Sequence, residues 1–354
     1  MASTERLGGA RPPVTVEVFH TWHETVTDMQ GFPQFADRID LYMPEMPGWT
    51  PGHLDEYRVL TRGGVSKNVI KAAPHLTGST RLEHLTLHGT KKPVTIVDFP
   101  AGYKADNIRI TDKFHSMTAL ANQIINSPGF DEPIDFDEIM ERAESMLRRK
   151  SDTNKEREDH MVAEFDPAVI LAIESSARLQ RLDTVRIGMK LGLYHTRVPN
   201  ELRSNGHSVE QTFANEHPVY PHNMLAEQAI LLEKPLDRTL LAQAVLTGIV
   251  YKIIEPYSHG DDTNKQAAMI YNVVSAFTYD EIQTFIEGYL QNGNPEQYQE
   301  YFENAFLEAK GIQIPRSERQ LLKFLHLDDT TLNDKPPRPG SKRRRPTGNR
   351  RRRR

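Results

Sequence analysis

Four short runs of this sequence end in side chains that can hold a metal ion or move a proton. "VTVEVFHTWHE" reaches His23 and Glu24, "LYMPEM" reaches Glu45, "VTIVDFP" reaches Asp98 and "MKLGLYH" reaches His195. Imidazoles and carboxylates together form a mixed N/O donor set suited to zinc, manganese, cobalt or iron, and the chain has no cysteine to supply thiolates. A divalent ion held this way lowers the pKa of a bound water and polarises a carbonyl, which is the chemistry of hydrolysis. Taken singly, each histidine is more simply explained by a structural or surface role than as a ligand. Asp98, standing before a Pro/Gly turn, is also explained by an Asx turn.

The elements that must position these groups are legible from periodicity. Val14, Val16 and Val18 alternate with Thr15 and Glu17, giving a first strand. A helix-compatible segment follows, and Ile39, Leu41 and Met43 then alternate in a second strand stopped by Pro44. "HLDEYRVLTRGG" has helical character with a glycine stop, whereas "LEHLTLHGT" alternates more like a strand, which argues against His84 and His88 forming an i, i+4 metal pair. "PVTIVDFPAG" is expected as a third strand. Two helices, "TDKFHSMTALANQIINS" and "DFDEIMERAESMLRRK", precede a very polar stretch, "SDTNKEREDH", and a further helix in "PAVILAIESSARLQ". A fourth strand, "TVRIGMKLGLYH", places Val185, Ile187, Met189, Leu191 and Leu193 on one parity and Arg186 and Lys190 on the other, a face expected to be partly wet. Residues 223–326 read as mostly helical. Strands interleaved with helices give the fold class: α/β, a central β-sheet with flanking helices and a mostly helical C-terminal part. In such sheets ligands collect beyond the carboxyl ends of the strands, where all four runs end.

Length and composition bound the class. The 354 residues can bury a substantial core. The expected organisation is a flexible N-terminus (1–12), an α/β core (13–215), a helical region packed on it (216–330) and a basic tail (331–354). The absence of cysteine fits a reducing compartment, and the N-terminus shows no apolar signal core, so a cytoplasmic location is expected. The apolar run "LLAQAVLTGIVYKII" is too short to span a bilayer and reads as a buried helix. Of the 44 basic residues, 11 fall from Lys335 onward with no acidic residue among them, which leaves 33 basic against 48 acidic in the rest. Residues 335–354 therefore form a cationic tail suited to nucleic acid or another polyanion, without the interleaved aromatics that base stacking needs. "YSHGDDTN" lacks the ligand order of a calcium loop, and "NEHPVYPHN" places His217 and His222 in a surface loop.

Several of these features, in order, resemble the TraB/Tiki superfamily, which is grouped with ChaN and erythromycin-esterase-like proteins. "HTWH" and "GLYH" resemble its two Gly-x-x-His motifs, "YMPEM" its strand-terminal glutamate, "VTIVDFP" its strand ending in Asp, and "NKEREDHM" its Glu-Arg segment. The resemblance covers residues 14–213. It implies a metal set of His23, Glu45 and His195 with manganese or cobalt (zinc being chemically possible), a metal-dependent hydrolase, and a peptide or protein as substrate. It also implies that Arg157 binds a substrate carboxylate or stabilises developing negative charge, with Gly192 opening the second motif. Glu24 is a candidate general base. In the first motif His20 replaces the glycine, as an additional ligand or as a histidine packed at the core edge. That replacement favours the alternative, a non-catalytic member binding a ligand or partner on the same scaffold.

Overall fold

The computed structural model describes residues 12–22, 27–74, 76, 78–102, 116–129, 134–215, 217–257 and 262–327. A four-stranded, wholly parallel sheet forms from β1 (Val14–Thr21), β2 (Leu41–Pro44), β3 (Val185–Gly192) and β4 (Ser208–Phe213), in the order β2-β3-β1-β4. The central pair runs in register from Val14 opposite Val185 to Thr21 opposite Gly192, and Leu41 pairs with Ile187 on the other side of β3. Parallel pairing brings the carboxyl ends of all four strands to one end of the sheet.

Successive side chains on a strand point to opposite faces, and both faces here are covered. Val16, Val18, Leu41, Met43, Ile187 and Met189 pack against Met161, Phe165, Val169 and Ile173 of one long helix. Phe19 and Tyr42 pack on the other face, among Phe32, Phe35 and Ala36 of α1 (Phe32–Arg38) and Tyr57 and Leu60 of α2 (Pro51–Thr61). On this face the sheet meets α1 without clearance. A Cβ on Gly188 of β3 would lie 2.5–2.7 Å from Ile39 and Phe35 side-chain atoms. The short helices α3 (Lys67–Ala72) and α4 (Gly78–Leu87) complete this layer.

The expected third strand is not a strand. Residues 93–100 run beside β2 but make only isolated bridges, Tyr42 with Val94 and Trp49 with Pro100. Pro93 and Pro100 have no N–H to give a ladder, and Pro44 and Pro47 interrupt the partner edge. "LEHLTLHGT" is helical through Leu87, in α4, because Glu83 and Leu87 share the inward face at i, i+4. Lys190 is not wet either: its ammonium is buried against Glu83 of α4.

The helical part begins earlier in the chain than residue 216. Met117, Leu120, Ala121 and Ile124 of α5 (Met117–Asn126) share one core with Val245, Ile249 and Ile253 of the apolar helix α9 (Arg238–Ile254) and with Ile282 and Ile286 further on. The very polar stretch 151–160 does not separate two helices but is the middle of α6 (Phe136–Ser175), a single 40-residue helix capped by Asp135, whose side chain accepts from the Glu138 amide. Its first turns enter the helical core through Ile139, Ala143 and Leu147, and its last turns lie under the sheet. After α7 (Arg197–Ser204) and β4, α8 (His222–Leu231) packs between α6 and α9. His222 is buried there, stacked on Tyr271 at 4.7 Å, because α8 starts at this residue and its first turn faces α10 (Thr263–Ser275). α11 (Tyr279–Asn292) and the turns after it close the core. No helix among the described residues is long and apolar enough to cross a membrane.

Candidate active site at the strand ends

Beyond β2 the chain turns at Glu45, whose amide donates to the Lys190 carbonyl at 3.0 Å and so keeps the residue beside β3. Beyond β3, Leu193 and Tyr194 form a turn, and the His195 amide returns to the Gly192 carbonyl at 3.1 Å. These two strand ends place Glu45 Oε1 3.0 Å from His195 Nε2, while the Gly192 amide donates to Glu45 Oε2. Gly192 thus acts through its backbone, fixing the carboxylate.

Arg157 enters from the middle of α6. Its Nε donates to Asp98 Oδ1 at 2.8 Å, and its Nη2 donates to Asp98 Oδ2 at 2.5 Å and to Glu45 Oε1 at 2.8 Å. Its Nη1 lies 3.1 Å from His195 Nε2. Asp98 is itself fixed by the backbone amides of Phe99 (2.8 Å) and Met46 (2.9 Å). The expected Asx turn does not form, because the residue two positions on is Pro100, which has no N–H to donate; the carboxylate accepts from the adjacent Phe99 amide instead and orients the guanidinium. On the far side of the imidazole, Glu158 Oε1 is 3.1 Å from His195 Nδ1, and Glu158 Oε2 lies 3.8 Å from Arg197. The result is a continuous polar chain, Glu158–His195–Glu45–Arg157–Asp98, in which every member but Glu45 is nine-tenths or more buried.

Burial alone would lower the pKa of His195. The charge of Glu45 works against it, Arg157 opposes Glu45, and the hydrogen bonds to Glu158 and Glu45 add to the rise; the net effect pushes the imidazole up to about 9. His195 is accordingly an imidazolium at neutral pH, with one carboxylate on each ring nitrogen. Arg157 is held still more firmly in its charged form by Glu45 and Asp98, against the cost of burial.

The chain borders a cavity of about 160 Å³ lined by Thr21, Trp22, Glu45, Lys150, Asn154, Arg157 and the 192–195 turn. A larger depression of about 670 Å³ lies in the C-terminal region, among residues 311–326, and holds none of these groups. His20 does not line the site cavity. It points away from Thr21 across the strand, stacks on Phe213 at 4.8 Å and accepts at Nε2 from the Gln211 amide at 3.0 Å, whose oxygen accepts from Arg203. Burial lowers its pKa, so it is a neutral, packed histidine. Of the two readings the sequence left open, packing at the core edge describes it.

His23 and Glu24 lie outside the described residues. The remaining donors of the expected metal set, Glu45 and His195, are close enough to share an ion, but Arg157 contacts both donor atoms and occupies the electrostatic place of a divalent cation. Glu45 and His195 by themselves, with Arg157 against both, do not make up the expected three-ligand set. The metal expectation therefore rests on His23.

Sequence reasoning missed Glu158, Lys150 and Asn154. The signal was present: the apolar spacing Ile139, Ala143, Leu147 continues through Ser151, Asn154 and Arg157/Glu158 to Met161 and Phe165. One helix face simply turns polar for two turns where it passes the strand ends. Compared with protein-family models, curated proteins and solved structures, the chain matches none.

Proposed function

We propose that this chain is a hydrolase of the TraB/Tiki-like kind acting on an acyl bond of a peptide-type substrate. The observation that carries the reading is the Glu45–His195 contact at 3.0 Å, backed by Arg157 and opening on a cavity at the carboxyl ends of parallel strands.

Glu45 takes a proton from water as the water oxygen bonds to the acyl carbon. Arg157 Nη1, the end of the fork that no described carboxylate takes, faces the developing oxyanion. Collapse of the intermediate breaks the C–N bond, and the nitrogen leaves with the proton of the His195 imidazolium. The proton on Glu45 then passes across the contact to His195, restoring both groups, and the products are a carboxylic acid and an amine. Asp98 and Glu158 touch neither water nor substrate in this scheme; they position Arg157 and His195.

The test is turnover of a peptide library by the full chain, with and without added manganese, cobalt or zinc, alongside the metal content of the purified protein. Glu45→Gln and His195→Gln are expected to lower kcat by about 10²–10⁴-fold. Stoichiometric metal with metal-dependent turnover would assign the chemistry to the ion and to His23. Ligand binding without turnover under any of these conditions would instead support the non-catalytic alternative. Contact between residues 335–354 and nucleic acid or another polyanion is a separate proposal, supported by the charge of that segment alone.

A further inference from the structure

Charge along this chain is segregated twice. Residues 335–354 carry 11 basic side chains and no acidic one, and residues 266–309 carry seven carboxylates and no Lys or Arg. The acidic run takes in α11 and the helical turns 295–310 that follow it. Between the two lies an open groove.

The floor of the groove is aromatic: the Phe306 ring stacks on Phe277 at 4.1 Å and meets Phe285 at 3.9 Å. Its rim is anionic. Asp280, Thr284 and Glu287 follow i, i+4, i+7 along one face of α11, and Glu300 and Glu308 stand next in the chain to Tyr301 and Ala309 of the opposite wall. Glu281 is paired with Lys310 and Glu303 with Arg316, each at 2.5 Å. No described cation pairs with Asp280, Glu287, Glu296, Glu300 or Glu308, so most of the run is uncompensated. Lys310 shows how the groove receives a cation, because its ammonium also lies 5.6 Å over the Phe277 ring. A guanidinium suits such a place better, stacking its plane on an aromatic ring while its N–H fork holds a carboxylate.

Position and reach select the occupant. The described chain ends at Leu327, just after the helix Glu318–Phe324, whose Leu321 shares a core with Phe285 and Phe306. The residues from 328 to 334 can span up to about 23 Å before the basic run begins. Tethering at that length gives the run an effective concentration on the order of millimolar at a site within reach. The rest of the chain carries 33 basic against 48 acidic side chains, so its field draws the run inward.

We propose that residues 335–354 dock in this groove of the same chain, with arginines on its aromatic floor and carboxylate rim, and are thereby withheld from outside polyanions. The withholding rests on the polyanion contact proposed above; the docking does not.

The chain has no cysteine, so an introduced pair can be followed alone. In the full chain at low salt, Thr284→Cys with Ser341→Cys should form a disulfide within one chain at least about tenfold faster than Glu164→Cys with Ser341→Cys, whose first site is exposed on the sheet half of α6. Neutralising the rim with Asp280→Asn, Glu287→Gln and Glu308→Gln should slow the groove cross-link about tenfold, a factor of about two for each exposed ion pair lost. The control triple Glu56→Gln, Glu164→Gln and Asp183→Asn carries the same net charge and should leave the rate unchanged. Salt at about 1 M, where the Debye length is about 3 Å, should also slow it. With native residues at the cysteine positions, the rim-neutralised chain should be retained on single-stranded DNA several-fold more strongly than the control triple. Equal rates at the two cysteine sites, a rate indifferent to rim neutralisation, or disulfides formed between chains would overturn the docking. Faster cross-linking at Thr284→Cys with equal DNA retention of the two triple variants would keep the docking and overturn the withholding.

Discussion

The proton on His195 can be followed directly. The imidazole is 3% exposed, lies between Glu45 and Glu158, and is pushed from its ordinary 6.5 up to about 9. A group whose folded pKa is raised stabilises the fold fully below its unfolded pKa, and this contribution disappears as pH rises through the folded value. The rise from 6.5 to about 9 corresponds to about 3 kcal/mol, so the His195 contribution to the urea midpoint should be constant below pH 6 and be lost between pH 6.5 and 9. Nitrogen-detected imidazole spectra give the midpoint for His195 independently. Glu45→Gln should lower that midpoint, because the charge of Glu45 is the largest influence raising it, and His195→Gln should abolish the stability change in this window while costing about 3–5 kcal/mol at pH 6, where it leaves two carboxylates without the cation between them. If the hydrolase reading holds, kcat should also fall as the acid form is lost through pH 9. A His195 midpoint at or below 6.5, or an unchanged stability slope in His195→Gln, would refute the electrostatic account of the site.

Three further outcomes follow from other parts of the molecule. Gly248 of α9 sits where a Cβ would lie 2.2 Å from the Met117 backbone carbonyl oxygen, so Gly248→Ala must push α5 and α9 apart; a loss of about 1–3 kcal/mol is expected, read as a lower Tm. His222, lowered to about 4 by burial, resists protonation in the fold, so stability should drop as pH falls from 6.5 towards 4, and His222→Phe should flatten that acid limb in urea titrations. Deleting residues 335–354 should abolish salt-sensitive retention on immobilised nucleic acid, and unchanged retention would reject that role for the segment.

The sheet was legible because β1, β2 and β3 carry their apolar residues at a spacing of two, and β2 and β3 stop at Pro44 and Gly192. Glu45 and His195 were legible for the same reason: a parallel strand that ends in a polar side chain delivers it to a common edge. Asp98 reached the site without a strand beneath it, so its position depends on the Phe99 and Met46 amides, which no periodicity announces. Lys190 was read as wet because its parity is opposite to the apolar set, yet Glu83, Tyr42 and Tyr57 make a buried polar cluster for it. Burial alone would raise the pKa of Glu83, but the charge and bonds of Lys190 and the two tyrosine hydroxyls bring it below its ordinary value. Pairing of that kind is a tertiary fact. The largest omission was the unity of α6: a run as polar as "SDTNKEREDH" reads as solvent-facing unless the helical spacing is carried through it.

That helix behaves as a spar clamped at both ends. Its N-terminal turns are bolted into the helical core and its C-terminal turns into the underside of the sheet, and the reacting centre hangs from the span between them. Each residue inserted into the span would twist one clamp about 100° against the other. Either Arg157 would leave the strand ends, or Met161 and Phe165 would leave the sheet. Length in this segment is therefore as tightly specified as chemistry, and the spacing between Leu147 and Met161 serves as a ruler for aligning the two halves of the molecule on one site.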